Sequence, residues 1–380
     1  MDKILSKRCT ELERVLSRLE LLAAQDALLI LRTAFGSPKM LNILRSSPCA
    51  EHPLLVEFDS LLRSGISAIT NCDLSDMAWM QASLPIQEGG LGVRSVVMLA
   101  PSAFLSSAAA TLVLQSAILG GDWPHADASV GHIRDVWCHT YSATPPSGEL
   151  VSKQKHWDTP AVSECRAILV SSVQTPLDRA RLLAVASPHA GDWLKALPIA
   201  SCGLRLDDEA VRVSVGLRLG LPICKPHACV CGTMVDERGL HGLSCMRGIG
   251  RLSRHNHIND IMCRAFASAG MPTVKEPTGL IPGTELRPDG LTLIPWSSGK
   301  CLTWDVTVID TLAPSNLNHS IHVAGSAAEA AAEFKNRKYS ALSRSHQFVP
   351  FALETLGPIC RAASDLITKL RYILDNNSNT

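Results

Sequence analysis

From Asp2 to Phe35 apolar residues recur every three or four positions (Leu12, Val15, Leu16, Leu19, Leu22), and no proline or glycine interrupts the run before Gly36-Ser37-Pro38. This spacing predicts one long amphipathic helix. Shorter helical patterns follow over Pro53–Ile69, Asp76–Leu84 and Ala100–Leu119, with the turn-rich Gln87-Glu88-Gly89-Gly90-Leu91-Gly92 between the last two. Nothing alternates with period two before residue 120. Gly120–Lys155, with Trp123-Pro124 and Pro145-Pro146-Ser147-Gly148, reads as a connector. A second helical group comprises Pro160–Val173, Pro176–Ala186 and Asp207–Leu219, where Val211, Val215 and Leu219 share a face.

The texture changes after Pro222. Residues 224–245 hold four cysteines and two histidines among polar residues and glycines, too wet a composition for a core element. Arg254–Ala269 is again helical, and strand-like segments then appear for the first time, at Thr273–Leu280, Arg287–Pro295 and Cys301–Ile309. In the last of these Leu302, Trp304, Val306 and Val308 alternate with Thr303, Asp305 and Thr307. Ser326 with Glu329 three residues on has the form of a capping box opening a helix over Ala327–Leu342. A strand at Gln347–Thr355 and a helix at Pro358–Leu374 complete the pattern. The chain therefore reads as an α+β multidomain protein, divided into a helical region (1–120), a connector with a second helical group (121–223), a small zinc-binding loop segment (224–245) and a C-terminal α/β domain (246–375).

Composition narrows the class. At 46% hydrophobic, 19% charged and net charge +1 over 380 residues, the chain has enough apolar material for several cores, and disorder along its whole length is excluded. The pattern shows no secretory leader and no membrane span, since Ala100–Leu119 is broken by Ser, Thr and Gln. Thirteen cysteines, an odd number scattered over a long chain, suggest reduced thiols and an intracellular setting. Charge is uneven: residues 1–150 carry 11 Lys+Arg against 15 Asp+Glu, and residues 246–380 carry 14 against 11. Affinity for nucleic acid, if present, belongs to the C-terminal half.

Two groups of residues carry candidate chemistry. Cys229-Val-Cys231, then His241 and Cys245, supply three thiolates and an imidazole, the donor set of a closed structural zinc site. Because only one residue separates the first pair, Cys224 and His227 stand as alternatives to Cys229. Cys9, Cys49, Cys72, Cys138, Cys165, Cys202, Cys263, Cys301 and Cys360 occur singly and read as small core residues. The second group is acidic. Asp289, in Arg287-Pro288-Asp289-Gly290, opens one strand, and Asp305 sits at the centre of the next. A carboxylate there is costly without a partner. A Mg²⁺ ion, which takes one or two carboxylates plus water and phosphate oxygens, is one such partner, and a salt bridge to Lys or Arg is the other. Glu276 is a candidate third acid. Lys335 and Lys338, three apart on the following helix, share a face opposite Ala327, Ala328, Ala331 and Ala332. The alanines are small enough to bring a lysine close to the strands.

These residues, in this order, carry a resemblance. Cys-x-Cys-Gly to His-Gly-Leu-Ser-Cys, Arg254-His255-Asn256, Glu276-Pro277, Arg287-Pro288-Asp289-Gly290, Trp304-Asp305-Val306-Thr307, Lys335–Tyr339 and Phe348–Gly357 resemble the C-terminal region of non-LTR retrotransposon polyproteins that use a restriction-like endonuclease. Leu84-Pro85-Ile86 with Gly89–Gly92 is similar to the segment that follows the reverse-transcriptase core in those polyproteins, although no paired-aspartate polymerase motif is present here. The resemblance implies a PD-(D/E)XK nuclease fold, a restriction-like endonuclease domain with Mg²⁺ held by Asp289 and Asp305, and catalytic residues drawn from Asp289, Asp305, Lys335, Lys338 and Glu276. Thr307 stands where the motif has lysine, which points to Lys335 or Lys338 from the next helix; Lys335 is favoured because it lies one turn closer to the alanine-rich contact, whereas Lys338 could extend past the sheet towards the DNA backbone. Glu354 falls in a matching segment without a chemical role. The resemblance further implies a nuclear location, a DNA target nicked to prime reverse transcription, and the element's RNA as a further partner. A zinc-containing nucleic-acid-binding module that no longer cleaves, and an inert helical remnant of a decayed element, are the alternatives.

Overall fold

The computed structural model describes residues 1–119 and 128–377. They form two compact units, residues 1–173 with 191–223, and residues 174–190 with 224–380.

The first unit is helical. The expected single helix over Asp2–Phe35 is broken: one helix runs Asp2–Leu19, a second Ala24–Ile30, and a π turn Leu31–Phe35 follows. The reason lies in phase. Leu5, Cys9, Leu12, Leu16 and Leu19 are buried at alternating steps of four and three, and the next buried apolar positions are Ala24, Ala27, Leu28 and Leu31. The five-residue step after Leu19 would turn a straight helix away from its core. Residues 20–23 absorb the mismatch and leave Leu21 and Leu22 exposed. The Asp208 carboxylate accepts the Ala24 N–H at the new start. The helix Pro53–Thr70 packs on the first through Gly65, where a Cβ would lie 2.3 Å from Leu16 Cδ2. Its buried Asp59 accepts Ser95 Oγ–H and the N–H groups of Val96 and Val97, capping the helix Val96–Leu119.

That helix contains a stretch, Val96–Ile118, long and apolar enough by length and composition to cross a membrane, which the sequence reading did not expect. Val96, Leu99, Ala100, Ala103, Phe104 and Leu105 are core residues, and Leu112, Val113, Leu114 and Ile118 are exposed. The turn Leu84–Gly92 is held by the buried Arg218, which donates to the carbonyls of Ile86 and Gly90. At Gly90 a Cβ would sit 2.1 Å from Leu84 O, so only glycine fits. Within the stretch read as a connector, Ala128–Tyr141 is a helix, and its Trp137 donates its indole N–H to Trp157 O with the two rings edge-to-face. Trp123-Pro124 lies outside the described residues.

The second unit holds both sheets. A two-stranded hairpin, β1 (His227–Ala228) with β2 (Met234–Val235), begins the cysteine-rich segment. The larger sheet has the order β3 (Thr273–Lys275), β4 (Gly290–Thr292), β5 (Leu302–Ile309), β6 (Gln347–Glu354); the first two pairings are antiparallel and β5–β6 is parallel over eight residue pairs. β3 is shorter than expected because Glu276 takes a left-handed φ of 46° and Pro277 follows it. Leu302, Trp304 and Val306 of β5 are buried, and Trp304 stacks on Phe266 of the helix Ile249–Ser268 at 4.9 Å. At Gly290 a Cβ would fall 2.0 Å from the Trp304 ring, which fixes β4 closely against β5. A short helix, Pro314–Ser320, precedes the alanine-lysine helix Ser326–Lys338, and a 3₁₀ turn over Ser340–Arg344 takes the place of the last turn expected to Leu342. Ala328 and Ala332 are buried against the sheet, as their size predicted, and Ala327 is buried at the start of the helix. The helix Arg361–Asn377 closes the unit. Of the single cysteines, Cys9, Cys49, Cys72 and Cys360 are buried and Cys202 is exposed.

The capping box does not form. Ser326 lies inside its helix with an orphaned hydroxyl, and Glu329 accepts the Arg361 N–H. Glu354, at the end of β6, supplies the cap instead: its Oε1 accepts the N–H groups of Ala327 and Ala328, each at 3.1 Å. Burial raises the Glu354 pKa, so the folded state holds its proton more tightly than the unfolded one. Its contribution is therefore largest below the ordinary glutamate range, about pH 4.3, and is lost as pH rises through the raised value. Glu354→Gln keeps the acceptor and removes the buried charge. It is expected to gain stability relative to the parent as pH rises, and Glu354→Leu, which orphans two buried N–H groups, to lose about 2–4 kcal/mol. Urea unfolding of the three proteins at acidic and alkaline pH measures both effects.

Candidate metal centre and acidic cluster

The cysteine-rich segment folds its four donors onto one point. Gly232, with φ 89°, lets the chain turn between Cys229 and Thr233, and the Cys229 N–H donates to Thr233 O at 2.9 Å. Gly239, also left-handed, leads into the single helical turn His241–Ser244, which presents His241 and is followed by Cys245. The donor atoms of Cys229, Cys231, His241 and Cys245 all lie within 4.8 Å of one another. Cys229 Sγ is 3.6 Å from Cys245 Sγ, and Cys231 Sγ is 3.1 Å from His241 Nε2. Two sulfurs bound tetrahedrally to zinc at about 2.3 Å would be about 3.8 Å apart, so the first distance suits that geometry. Hydrogen bonds with Thr233 bring the Cys231 thiol down to about 6, which favours the thiolate a metal needs.

Neither alternative ligand joins the group. Cys224 Sγ faces Asp236 O at 3.2 Å, and His227 Nδ1 lies 2.9 Å from Lys225 O. The four-residue group could hold a metal such as zinc. Arg254 ties it to the helix behind, donating to Leu243 O at 2.6 Å.

The acidic residues meet at the edge between β4 and β5. Asp289 directly precedes β4; its N–H donates to Trp304 O and its Oδ2 accepts the Val306 N–H at 2.6 Å, so its bonds land on both neighbours of Asp305. The helix Ile249–Ser268 secures it from the other side. His255 Nε2 lies 2.9 Å from Asp289 Oδ2, and Asn259, buried one turn later, donates to Asp289 O while its own oxygen accepts the Trp304 indole N–H. The hydrogen bond from His255 to Asp289 raises the histidine pKa, and this pair favours imidazolium. Sequence reading passed over His255 and Asn259 as site residues, although Arg254-His255-Asn256 stood out as a motif.

Asp305 is 4% exposed, and Lys335 Nζ lies 2.5 Å from its Oδ1. The approach is an ion pair outside hydrogen-bonding angles, leaving that oxygen without an aligned donor. The salt-bridge role weighed for Asp305 is thus present. Tyr339, buried and donating its hydroxyl to Arg287 O at 2.8 Å, has its pKa raised by burial and by the adjacent Asp305 carboxylate. Thr307 Oγ1, two residues along β5, is buried and unpartnered. Lys338 is exposed, with its ammonium 4.8 Å above the Tyr339 ring. Glu276 is exposed as well and reaches Asp289 through its backbone N–H.

Comparison with known proteins yields no matching family model and no matching curated protein.

Proposed function

We propose that this protein is a metal-dependent DNA endonuclease of the restriction-like kind found with non-LTR retrotransposons, with Asp289, Asp305 and Lys335 at its centre. The observation that carries the reading is that Lys335 of the alanine-lysine helix meets Asp305 of β5, while Asp289, directly before β4, bonds the backbone of both neighbours of Asp305. The donor chemistry is that of a hard cation's ligands: Asp305 Oδ1 is buried, with Lys335 as its counter-ion and no aligned donor, and Asp289 Oδ2 accepts the Val306 N–H one residue further along β5. Asp289 and Asp305 would hold Mg²⁺, which when bound supplies Lewis acidity and a water activated for attack on phosphorus. Lys335 steadies charge developing on the phosphoryl oxygens, and before substrate arrives it neutralises Asp305. Asn259 and His255 keep Asp289 aimed at β5. Lys338 and Glu276, both exposed, contribute to the surface rather than to the chemistry.

The zinc-held loop, with Arg247, Arg251 and Arg254 following it, would hold DNA beside this centre. The test is conversion of supercoiled plasmid to open circle. The expected result is nicking that requires Mg²⁺ and is absent in Asp289→Ala.

One observation favours a second reading. Each carboxylate already has a basic neighbour, Asp289 with His255 and Asp305 with Lys335, an arrangement also suited to a module that binds nucleic acid without cutting it. Retarded plasmid with no open circle, in parent and Asp289→Ala alike, would select it.

A further inference from the structure

A cavity of about 430 Å³ opens beside the acidic cluster, between the turn Ser297–Lys300 and the chain from Asn336 to Phe348. Its lining includes Ser297, Lys300, Asn336, Tyr339, Ser343 and His346 and contains no acidic residue. The surrounding sequence shares that bias: residues 334–353 have Lys335, Arg337, Lys338 and Arg344 and no Asp or Glu, and residues 290–304 have Lys300 and no acid. Lys300 joins the two walls by donating one of its three N–H groups to Ser343 O at 2.8 Å. Tyr339 connects cavity and cluster, since it lines the one and its hydroxyl donates to Arg287 O, two residues before Asp289, in the other. Asn336 is the immediate neighbour of Lys335.

A site built from an ammonium, an imidazole, hydroxyls and amides without a carboxylate suits an anion bearing sugar oxygens, and the volume is within the range of small-ligand sites. We propose that this cavity receives the phosphate and deoxyribose of the DNA nucleotide adjoining the one cut at Asp289 and Asp305, with Lys300 on the phosphate. The inference rests on the nuclease reading. It adds a binding subsite that accounts for the acid-free chain between Glu333 and Glu354.

Fluorescence anisotropy of a short labelled DNA duplex on the full chain, titrated across salt concentration in Ca²⁺ to limit cutting, tests it. Lys300→Ala should lower the slope of log affinity against log salt by about 0.9 and weaken binding about tenfold near 0.1 M salt. Ser343→Trp, which fills the cavity without changing charge, should weaken binding comparably with little change in slope. Lys369→Ala, on the closing helix, removes the same charge outside the cavity and should leave the slope as in the parent. In plasmid nicking the loss from Lys300→Ala should fall on KM more than on kcat. Parent-like binding by both cavity variants, in a protein that nicks normally, overturns this inference alone. Loss of affinity for RNA but not DNA also overturns it. A parent protein that neither binds nor nicks DNA overturns the nuclease reading and this one together.

Discussion

If the proposed nuclease reading holds, Asp305→Ala and Asp305→Asn should both reduce plasmid nicking by at least about a thousandfold, yet leave the fold intact, because the proposed chemistry centres on this carboxylate and its charge is a burden to the structure. Asp305 is 4% exposed in the middle of β5 and is neutralised by Lys335 at 2.5 Å. Removing the carboxylate leaves an ammonium that is 19% exposed and free to turn to water. Removing the lysine leaves a buried carboxylate with no cation. Lys335→Ala should therefore lose both properties, about 3–5 kcal/mol of stability and about a hundredfold to a thousandfold in rate. Lys338→Ala, at an exposed position, should change stability by no more than about 0.5 kcal/mol and retain nicking. Urea unfolding beside initial nicking rates separates the cases. If Lys335→Ala nicks like the parent, the lysine serves only to balance Asp305. If Asp305→Asn nicks like the parent, the site lies elsewhere.

The second large effect concerns the cysteine-rich segment. Protein prepared without chelator is expected to carry about one equivalent of zinc, and Cys245→Ser to lose it. Cys245 is the buried member of the four, and Gly248 packs against it: a Cβ there would meet Cys245 O at 3.3 Å. Outside the four donors the loop is held at few points, chiefly Arg254 to Leu243 O and Arg238 to Asp178. β1 and β2 have two residues each, and Val230, Met234 and Met246 are exposed. Metal binding of this kind is worth about 10–16 kcal/mol in isolated zinc modules and there amounts to the folding energy itself. Cys245→Ser or prolonged chelation should make residues 224–248 the first site of proteolysis. Cys224→Ser should keep the metal, since its thiol faces Asp236 O instead. Elemental analysis and limited digestion read the two outcomes, and zinc-free parent protein with an intact loop would rule the centre out.

Local pattern decided much of this protein. Most helices of the first 220 residues, though not Ala128–Tyr141 or Ser37–Ser46, the strand alternation around Asp305, the alanine face of the lysine helix and the four donors of the cysteine-rich segment can be read from periodicity, residue size and donor chemistry, because each acts over a few neighbours. The break after Leu19 was visible only as a five-residue step in the buried positions, and which step counts depends on what the second helix packs against. Three decisions belonged to tertiary structure. Residues 174–190 pack with the C-terminal unit although helical segments flank them in sequence. The cap of the lysine helix comes from Glu354, sixteen residues beyond the end of that helix, and the local Ser326–Glu329 pair is not used. Most consequentially, Lys335 and not Lys338 meets Asp305, and His255 and Asn259 secure Asp289. The alanine contact favours Lys335 in the sequence, but a three-residue spacing that puts two lysines on one helical face leaves their height above the sheet undetermined. That height follows from how closely Ala328 and Ala332 let the helix settle on β5 and β6, a contact made between segments far apart in the chain.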